Sequence, residues 1–305
     1  DVYVVDDAGD VVTEAAAAGS DTVLASVSYT LGASVEKLLL QGGGDIDGTG
    51  NIQANVLIGN SGDNTLDGAG GLDTLSGGAG DDTLIVDLVP SGAGKPLKLE
   101  DRISEKTGQG EDTLVLRTPG TVAGAAVTIA LATNFENLDA TQTGATLLNL
   151  TGNTLGNLIT GNAAANTVIG GRGNDILKAG LGNDVYRFAA GDGGDVVEDA
   201  GGADRIELAN IAPASVTYVQ NGDHLVIFYG TKGDFITVKN NFTDPAALIE
   251  QVVLKGATHD DTYIAAHLSA DAPTGTTGGN STDMLLGTAA ADVLTGQGGD
   301  DQIYG

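Results

Sequence analysis

Gly59–Val86 reads GNSGDNTLD, GAGGLDTLS, GGAGDDTLI, then Val86: three nine-residue units run head to tail. Each opens with Gly, carries Asn or Asp at its sixth position, and places Thr and Leu at its seventh and eighth. A more degenerate unit, Gly50–Ile58 (GNIQANVLI), precedes them. The cadence fits the nonapeptide G-G-x-G-x-D-x-U-x, with U a large apolar residue, which stacks into parallel β-coils.

A second block keeps the same phase. Leu150, Ile159, Val168, Leu177 and Tyr186 fall nine apart, as do Leu57, Leu66, Leu75 and Leu84. Nine is odd and side chains alternate faces along a strand, so successive units cannot continue one strand. A short strand, a Gly-rich turn and a return strand on the opposite side make one coil of two units. The expected fold is therefore all-β: parallel β-roll (β-solenoid) blocks, with Leu57 stacked on Leu75 and Ile159 on Leu177. Turn glycines supply φ > 0 and close packing between coils. Burying a Leu or Ile contributes roughly 1.5–3 kcal/mol. With two or three apolar residues per coil, burial only marginally offsets the ordering of so many glycines.

Outward from the blocks, the flanks also recur. Asp10-Val11-Val12-Thr13-Glu14, Asp101-Arg102-Ile103-Ser104-Glu105 and Asp195-Val196-Val197-Glu198-Asp199 follow similar strand endings. Each precedes a Gly-x-Asp step at Asp21, Asp112 or Asp204, which reads more simply as a turn cap than as a ligand. Val35-Glu36-Lys37-Leu38 answers to Phe135-Glu136-Asn137-Leu138. A recurring unit of this size signals an array. The second copy carries an insertion near Pro90–Pro96, expected to be a surface loop.

From Arg205 the pattern alternates. Val216–Val219 and Leu225–Tyr229 flank an Asn221-Gly222 turn and read as a hairpin. Phe235–Val238 follows, then a short helix and a last strand within Pro245–Leu254. The chain thus divides into 1–87 (trailing repeat, β spacer and first block), 88–187 (second spacer and block), 188–268 (an antiparallel β segment closing the second block), 269–282 (linker) and 283–305 (start of a third block). The first residues read as the inside of a repeat unit and Gly305 stops as another begins, as expected of a piece of a longer chain; missing targeting signals then carry little information.

Composition narrows the chemistry. Forty-one Asp and Glu against 13 Lys and Arg give a net charge of -28 over 305 residues. That excess repels nucleic acid and anionic membrane surfaces, and no apolar run is long enough to insert in a bilayer. It also repels itself unless a cation neutralises it. The absence of Cys removes disulfides, thiol catalysis and zinc-thiolate sites. Calcium takes six to eight oxygens from carboxylates and carbonyls in flexible geometry. A Gly-rich loop ending in Asp offers both, and loops eighteen residues apart can share an ion. The sixth positions are Asn55, Asn64, Asp73 and Asp82, then Asn157, Asn166, Asp175 and Asp184, then Asp283, Asp292 and Asp301. Asn is neutral and suits a hydrogen-bonded ladder, so the metal is expected in the C-terminal half of each block.

The units Gly77–Ile85, Gly170–Lys178 and Gly296–Tyr304 resemble RTX (hemolysin-type calcium-binding nonapeptide) repeats. Spacers such as Ser26–Glu36 are similar to those of large RTX surface proteins and adhesins. The candidate metal ligands are then Gly68, Gly70 and Asp73; Gly77, Ala79 and Asp82; Gly170, Arg172 and Asp175; Ala179, Leu181 and Asp184; Asp195 and Asp199 in a last site; and Asp283, Asp292, Gly296, Gly298 and Asp301 in the third block. Ala179 departs from the Gly of the pattern, as do Thr288, Ala289 and Ala290. The resemblance implies Ca2+ as cofactor, a bacterial protein exported unfolded by type I secretion machinery, folding on external calcium, and residence outside the cell or on its surface, with cell-surface contact or self-association as partner roles.

Rival readings remain. Asp45-Ile46-Asp47-Gly48-Thr49-Gly50 resembles the opening of an EF-hand loop, but its twelfth position is Val56 rather than a bidentate Glu. No H-E-x-x-H or G-x-S-x-G elbow is present, so no enzyme is expected. His224 reads as a strand-surface residue and His259 as part of a polar loop. Thr65, Thr74 and Thr83 raise an ice-binding file, short and broken elsewhere. Between the two larger alternatives, an adhesive repeat segment is favoured over the export module of a secreted protease, lipase or polysaccharide-modifying enzyme.

Overall fold

A computed structural model describes residues 1–16, 19–91, 97–118, 126–230, 233–269, 284–286 and 302–304. The chain divides into two units, Asp1–Thr146 and Leu147–Gly305.

In the first unit, two parallel sheets are built from short strands. One runs Val2–Val5, Thr22–Ala25, Lys37–Leu40, Val56–Ile58, Thr74–Ser76, Arg102–Ile103, in that order. The other runs Tyr29–Thr30, Gly48–Thr49, Thr65–Asp67, Thr83–Pro90, Thr113–Arg117, Asn137–Gln142. The polar-Thr-Leu-polar cadence explains the strands: in Thr65–Asp67 and Thr74–Ser76 the central Leu is buried and its neighbours are half-buried. Val23, Leu38, Leu57 and Leu75 stack in register in one sheet; Leu66, Leu84, Leu114 and Leu138 stack in the other. All eight are buried.

The spacers are coils of the same roll. Lys37–Leu40 and Thr113–Arg117 pair in parallel with block strands, Thr22–Ala25 pairs in parallel with Lys37–Leu40, and all three deliver their apolar residues into the same stacks. Only the arcs between strands differ in length. The insertion is flanked by an antiparallel pair, Leu88–Pro90 with Leu97–Leu99, so its stems are strands; residues 92–96 lie outside the described set. The Thr file divides: Thr65 and Thr83 pair in one sheet, while Thr74 lies in the other beside Val56. Alternate units occupy opposite sides of the coil, so three consecutive threonines do not form one face.

The second unit repeats the plan. Leu150, Val168, Tyr186 and Ile206 stack in one sheet, and Ile159, Leu177 and Val197 in the other. The closing segment adds antiparallel pairs, Thr217–Asn221 with His224–Tyr229 around Gly222 (φ 57°), and Ile249–Leu254 with Ala257–Asp260. Two of its strands also extend the roll in parallel: Asp234–Val238 beside Gly194–Val197, and Ile249–Leu254 beside Asp204–Leu208. The short helix expected at Pro245 is a 3-10 turn, Pro245–Ala247, ahead of the strand Ile249–Leu254, and a six-residue helix, Asp261–Ala266, follows. His259 is not in a polar loop. It is buried on a strand, its Nδ1 lies 2.8 Å from the Tyr218 hydroxyl, and its ring stacks on Tyr263. Near the C-terminus, Met284–Leu286 pairs in parallel with Gln302–Tyr304, the same eighteen-residue step as Leu57 with Leu75.

Candidate metal centre

Each sixth-position residue precedes a strand and turns its side chain back into the coil. Asp73, Asp82, Asp175 and Asp184 are all buried. One oxygen of each accepts the backbone N–H of the equivalent residue one coil earlier: Asp73 from Asn55 (2.7 Å), Asp82 from Asn64 (2.8 Å), Asp175 from Asn157 (2.7 Å) and Asp184 from Asn166 (2.7 Å). The other oxygen, Oδ2, is buried without a hydrogen-bond partner in all four. Asp195 continues the ladder by accepting from Asp175 (3.0 Å), and its Oδ2 is likewise orphaned. Buried polar atoms normally find partners. Five carboxylates on one repeated backbone position leave the same atom unmatched.

The Asn loops are arranged differently. Asn55 accepts from Asn51 N–H (2.7 Å) and donates to the Val35 carbonyl (3.1 Å); Asn64 accepts from Asn60 (2.8 Å) and donates to Ile46 (2.7 Å). At Asn55 and Asn64 the amide supplies both donor and acceptor, so these two turns close without an ion, whereas Asn166 donates through Nδ2 to the Ala164 carbonyl (2.6 Å) and leaves its buried Oδ1 unmatched.

Glycines make room for the carboxylates. A Cβ on Gly68, Gly77 or Gly170 would collide with the carboxylate of Asp73, Asp82 or Asp175, five residues on. A Cβ on Gly50 or Gly152 would meet the carbonyl of Gly68 or Gly170 on the next coil. The loop carbonyl and the carboxylate therefore crowd one small space. Ala79, Arg172, Ala179 and Leu181 lie in the turns that lead to Asp82, Asp175 and Asp184, and Gly70 in the turn before Asp73. The Leu181 side chain is exposed, and the buried Ala179 offers its carbonyl to Asn166 Nδ2 at 3.2 Å. Asp283, Asp292, Gly296, Gly298 and Asp301 lie outside the described residues. The EF-hand-like Asp45 and Asp47 accept the amides of Asp63 (3.0 Å) and Thr65 (2.9 Å), as rungs of the coil.

Burial dominates the electrostatics. Desolvation pushes Asp73, Asp82 and Asp175 up to about 7, Asp184 to about 6 and Asp195 to about 8. Among the described residues no Lys or Arg forms an ion pair with any of them; the basic side chains pair with Asp67, Asp87, Glu198 and Glu207 instead. Oxygen-only donors, orphaned carboxylate atoms and glycine-cleared space fit a hard cation such as calcium.

Three further acidic groups close the ladders. Asp82 meets Glu105 and Asp112; Asp184 meets Asp199 and Asp204; Asp1 meets Glu14 and Asp21; in each group one carboxylate oxygen per residue lies within 4.8 Å of the others. Asp199 therefore sits with Asp184, while Asp195 belongs to the Asp175 side. Asp21, Asp112 and Asp204, expected as turn caps, thus lie within acidic groups, together with Glu14 and Glu105, which the repeat pattern alone does not mark. The visible signal was the recurring tail, Asp-x-x-x-Glu or Asp-x-x-x-Asp.

These are the features of a parallel β-roll built from acidic, metal-ready turns. The RTX calcium-binding nonapeptide repeat, as a family model, matches in four copies at residues 49–84, 151–186 and 277–305. The chain carries RTX repeats; Asp73, Asp82, Asp175 and Asp184 lie within the matched segments and Asp195 lies just beyond the second. A comparison with curated proteins gives no match.

Proposed function

We propose that this chain is a calcium-binding structural and adhesive segment of a secreted extracellular RTX protein, folding on calcium after type I secretion. The observation that carries the reading is the orphaned Oδ2 repeated at Asp73, Asp82, Asp175, Asp184 and Asp195. Bound calcium supplies the positive charge those atoms lack. The Oδ1 atoms of the same residues hold neighbouring coils in register through their backbone amides, and the first glycines keep the space beside them open. Without a cation, buried carboxylates and 48 glycines oppose folding. At a free concentration 100 times Kd, each site adds about 2.7 kcal/mol, and extracellular modules need a Kd of only about 10⁻⁴–10⁻³ M.

The role is structural rather than catalytic. His259 is engaged with Tyr218, His224 Nδ1 accepts the Asn240 amide (3.0 Å), and His267 Nδ1 lies 2.8 Å from the Tyr263 carbonyl. Recurrence of the whole unit, spacers included, favours an array over the second reading, a folding module for a secreted enzyme. Far-UV circular dichroism during a calcium titration tests the proposal. A cooperative gain of β-structure is expected; an unchanged spectrum at saturating calcium overturns it.

A further inference from the structure

The three acidic groups that close the ladders are one site built three times. In two of them an Asp that ends a repeat donates its backbone N–H to the Asp of the following Gly-x-Asp step, Asp82 to Asp112 (2.9 Å) and Asp184 to Asp204 (2.6 Å), and at the same place in the first the Asp1 amino group pairs with Asp21 (2.5 Å). That second Asp donates its own N–H to a Glu: Asp21 to Glu36 (2.9 Å), Asp112 to Glu136 (2.8 Å) and Asp204 to Glu250 (2.6 Å). The third carboxylate comes from the tail between them, at Glu14, Glu105 or Asp199. Glu105 and Asp112, Asp199 and Asp204, and all three residues of the first group lie outside the segments that match the nonapeptide family.

We propose that each group is the terminal cation site of its ladder, of calcium type, in which the tail carboxylate and the Asp of the Gly-x-Asp step join the repeat Asp and so staple an irregular spacer coil to the end of the repeats. Proximity of acids alone would not carry this. Asp21, Asp82, Asp184 and Asp204 are each at least 98 % buried, and each keeps an Oδ2 with no hydrogen-bond partner. Asp82, Asp184 and Asp204 commit Oδ1 to backbone amides and Asp21 commits it to the Asp1 amino group, so the vacant oxygens face a group of like charge. The tail carboxylates are held from the other side. Tyr186 Oη donates to Asp199 Oδ1 (2.8 Å), the equivalent Tyr3 donates to Glu14, and in the copy with Leu84 at that position the Gly77 amide donates to Glu105. Three oxygens gathered within 4.8 Å suit one ion with calcium–oxygen bonds of about 2.3–2.6 Å. Gly110 and Gly202 of the Gly-x-Asp steps pack on the loop carbonyls of Gly80 and Gly182 one coil earlier, so the ion adds to loop packing as a tie between coils.

The inference rests on the calcium-dependent reading above but fails separately from it. In the full chain, Glu105→Gln and Asp199→Asn keep the accepting oxygen and remove the charge. Bound calcium per chain, measured by equilibrium dialysis and elemental analysis, should fall by one ion in each variant and by two in the double variant. Thermal melts provide the second measurement: each variant should melt higher than the parent without calcium, where repulsion is relieved, and lower with calcium. If a variant is unfolded in calcium, Glu14→Gln reads the same site in the first copy. A parent that binds calcium, with variants that bind as many ions and shift in the same direction under both conditions, overturns the sites alone. A parent that takes up no calcium overturns both readings.

Discussion

Asp195 is fully buried, spends one oxygen on the Asp175 amide, and has nothing for the other. Burial pushes it up to about 8, with Asp73, Asp82, Asp175 and Asp204 at about 7. An unfolded Asp titrates near 4, at about 3.9. A folded pKa above the unfolded one means that the calcium-free fold binds extra protons. Its stabilisation is complete below about pH 4 and disappears as pH rises through 6 to 8. The calcium-free chain should therefore melt at a higher temperature at pH 5 than at pH 8, and saturating calcium should reverse the order because its ligands must be deprotonated. Identical melting temperatures at the two pH values without calcium would contradict the buried, ion-ready state of these side chains. The choice between Asn and Asp at the sixth position was legible in the sequence, because the two differ in charge and in donors. The involvement of Glu105 was not: it reaches Asp82 only when an irregular arc is folded.

Strands carry a second electrostatic device on the sheet surface. The Arg117 guanidinium bonds to Asp87 through Nε (2.7 Å) and Nη2 (3.0 Å), and to Asp67 through Nη1 (2.7 Å) and Nη2 (3.0 Å). It thus spans the strands that begin at Thr65, Thr83 and Thr113. Glu198 is held in the same manner between Lys178 (2.8 Å) and Lys239 (2.6 Å). Exposed pairs are worth about 0.2–1 kcal/mol each; a forked Arg holding two acids belongs at the upper end. Arg117→Gln should lower stability in calcium by about 1 kcal/mol, and adding Asp67→Asn should recover part of it. A double variant no more stable than the single one would show that repulsion between Asp67 and Asp87 is not what Arg117 offsets. At this scale the nine-residue spacing predicted the paired registers of the blocks directly. It could not reveal that the spacers join the same sheets, since Lys37–Leu40 and Thr113–Arg117 share the apolar cadence but not the period. Nor could it reveal the third Glu, Glu250, which the hairpins after Arg205 separate from Asp204.

Across the whole molecule the net charge is -28, and neutralisation can come from general screening or from site binding. At 1 M monovalent salt the Debye length is about 3 Å, enough to screen exposed acids but unable to supply ligands to buried oxygens. Sodium chloride without calcium should leave the chain short of its full β-content by circular dichroism, while millimolar calcium at low ionic strength should restore it. Equal recovery in salt alone would reduce the calcium effect to screening. The ladder bonds also join residues at very unequal sequence distances: 15 from Asp21 to Glu36, 18 from Asn55 to Asp73, 30 from Asp82 to Asp112, 46 from Asp204 to Glu250. Every one of those arcs returns the chain to the next rung. Because closure entropy grows only as the logarithm of loop length, about 0.6 kcal/mol per doubling, extra sequence can be spliced into an arc at small cost. Fixed anchors with freedom of length between them make this architecture a chassis: relatives are expected to differ by what hangs from the arcs, while the rungs themselves stay countable.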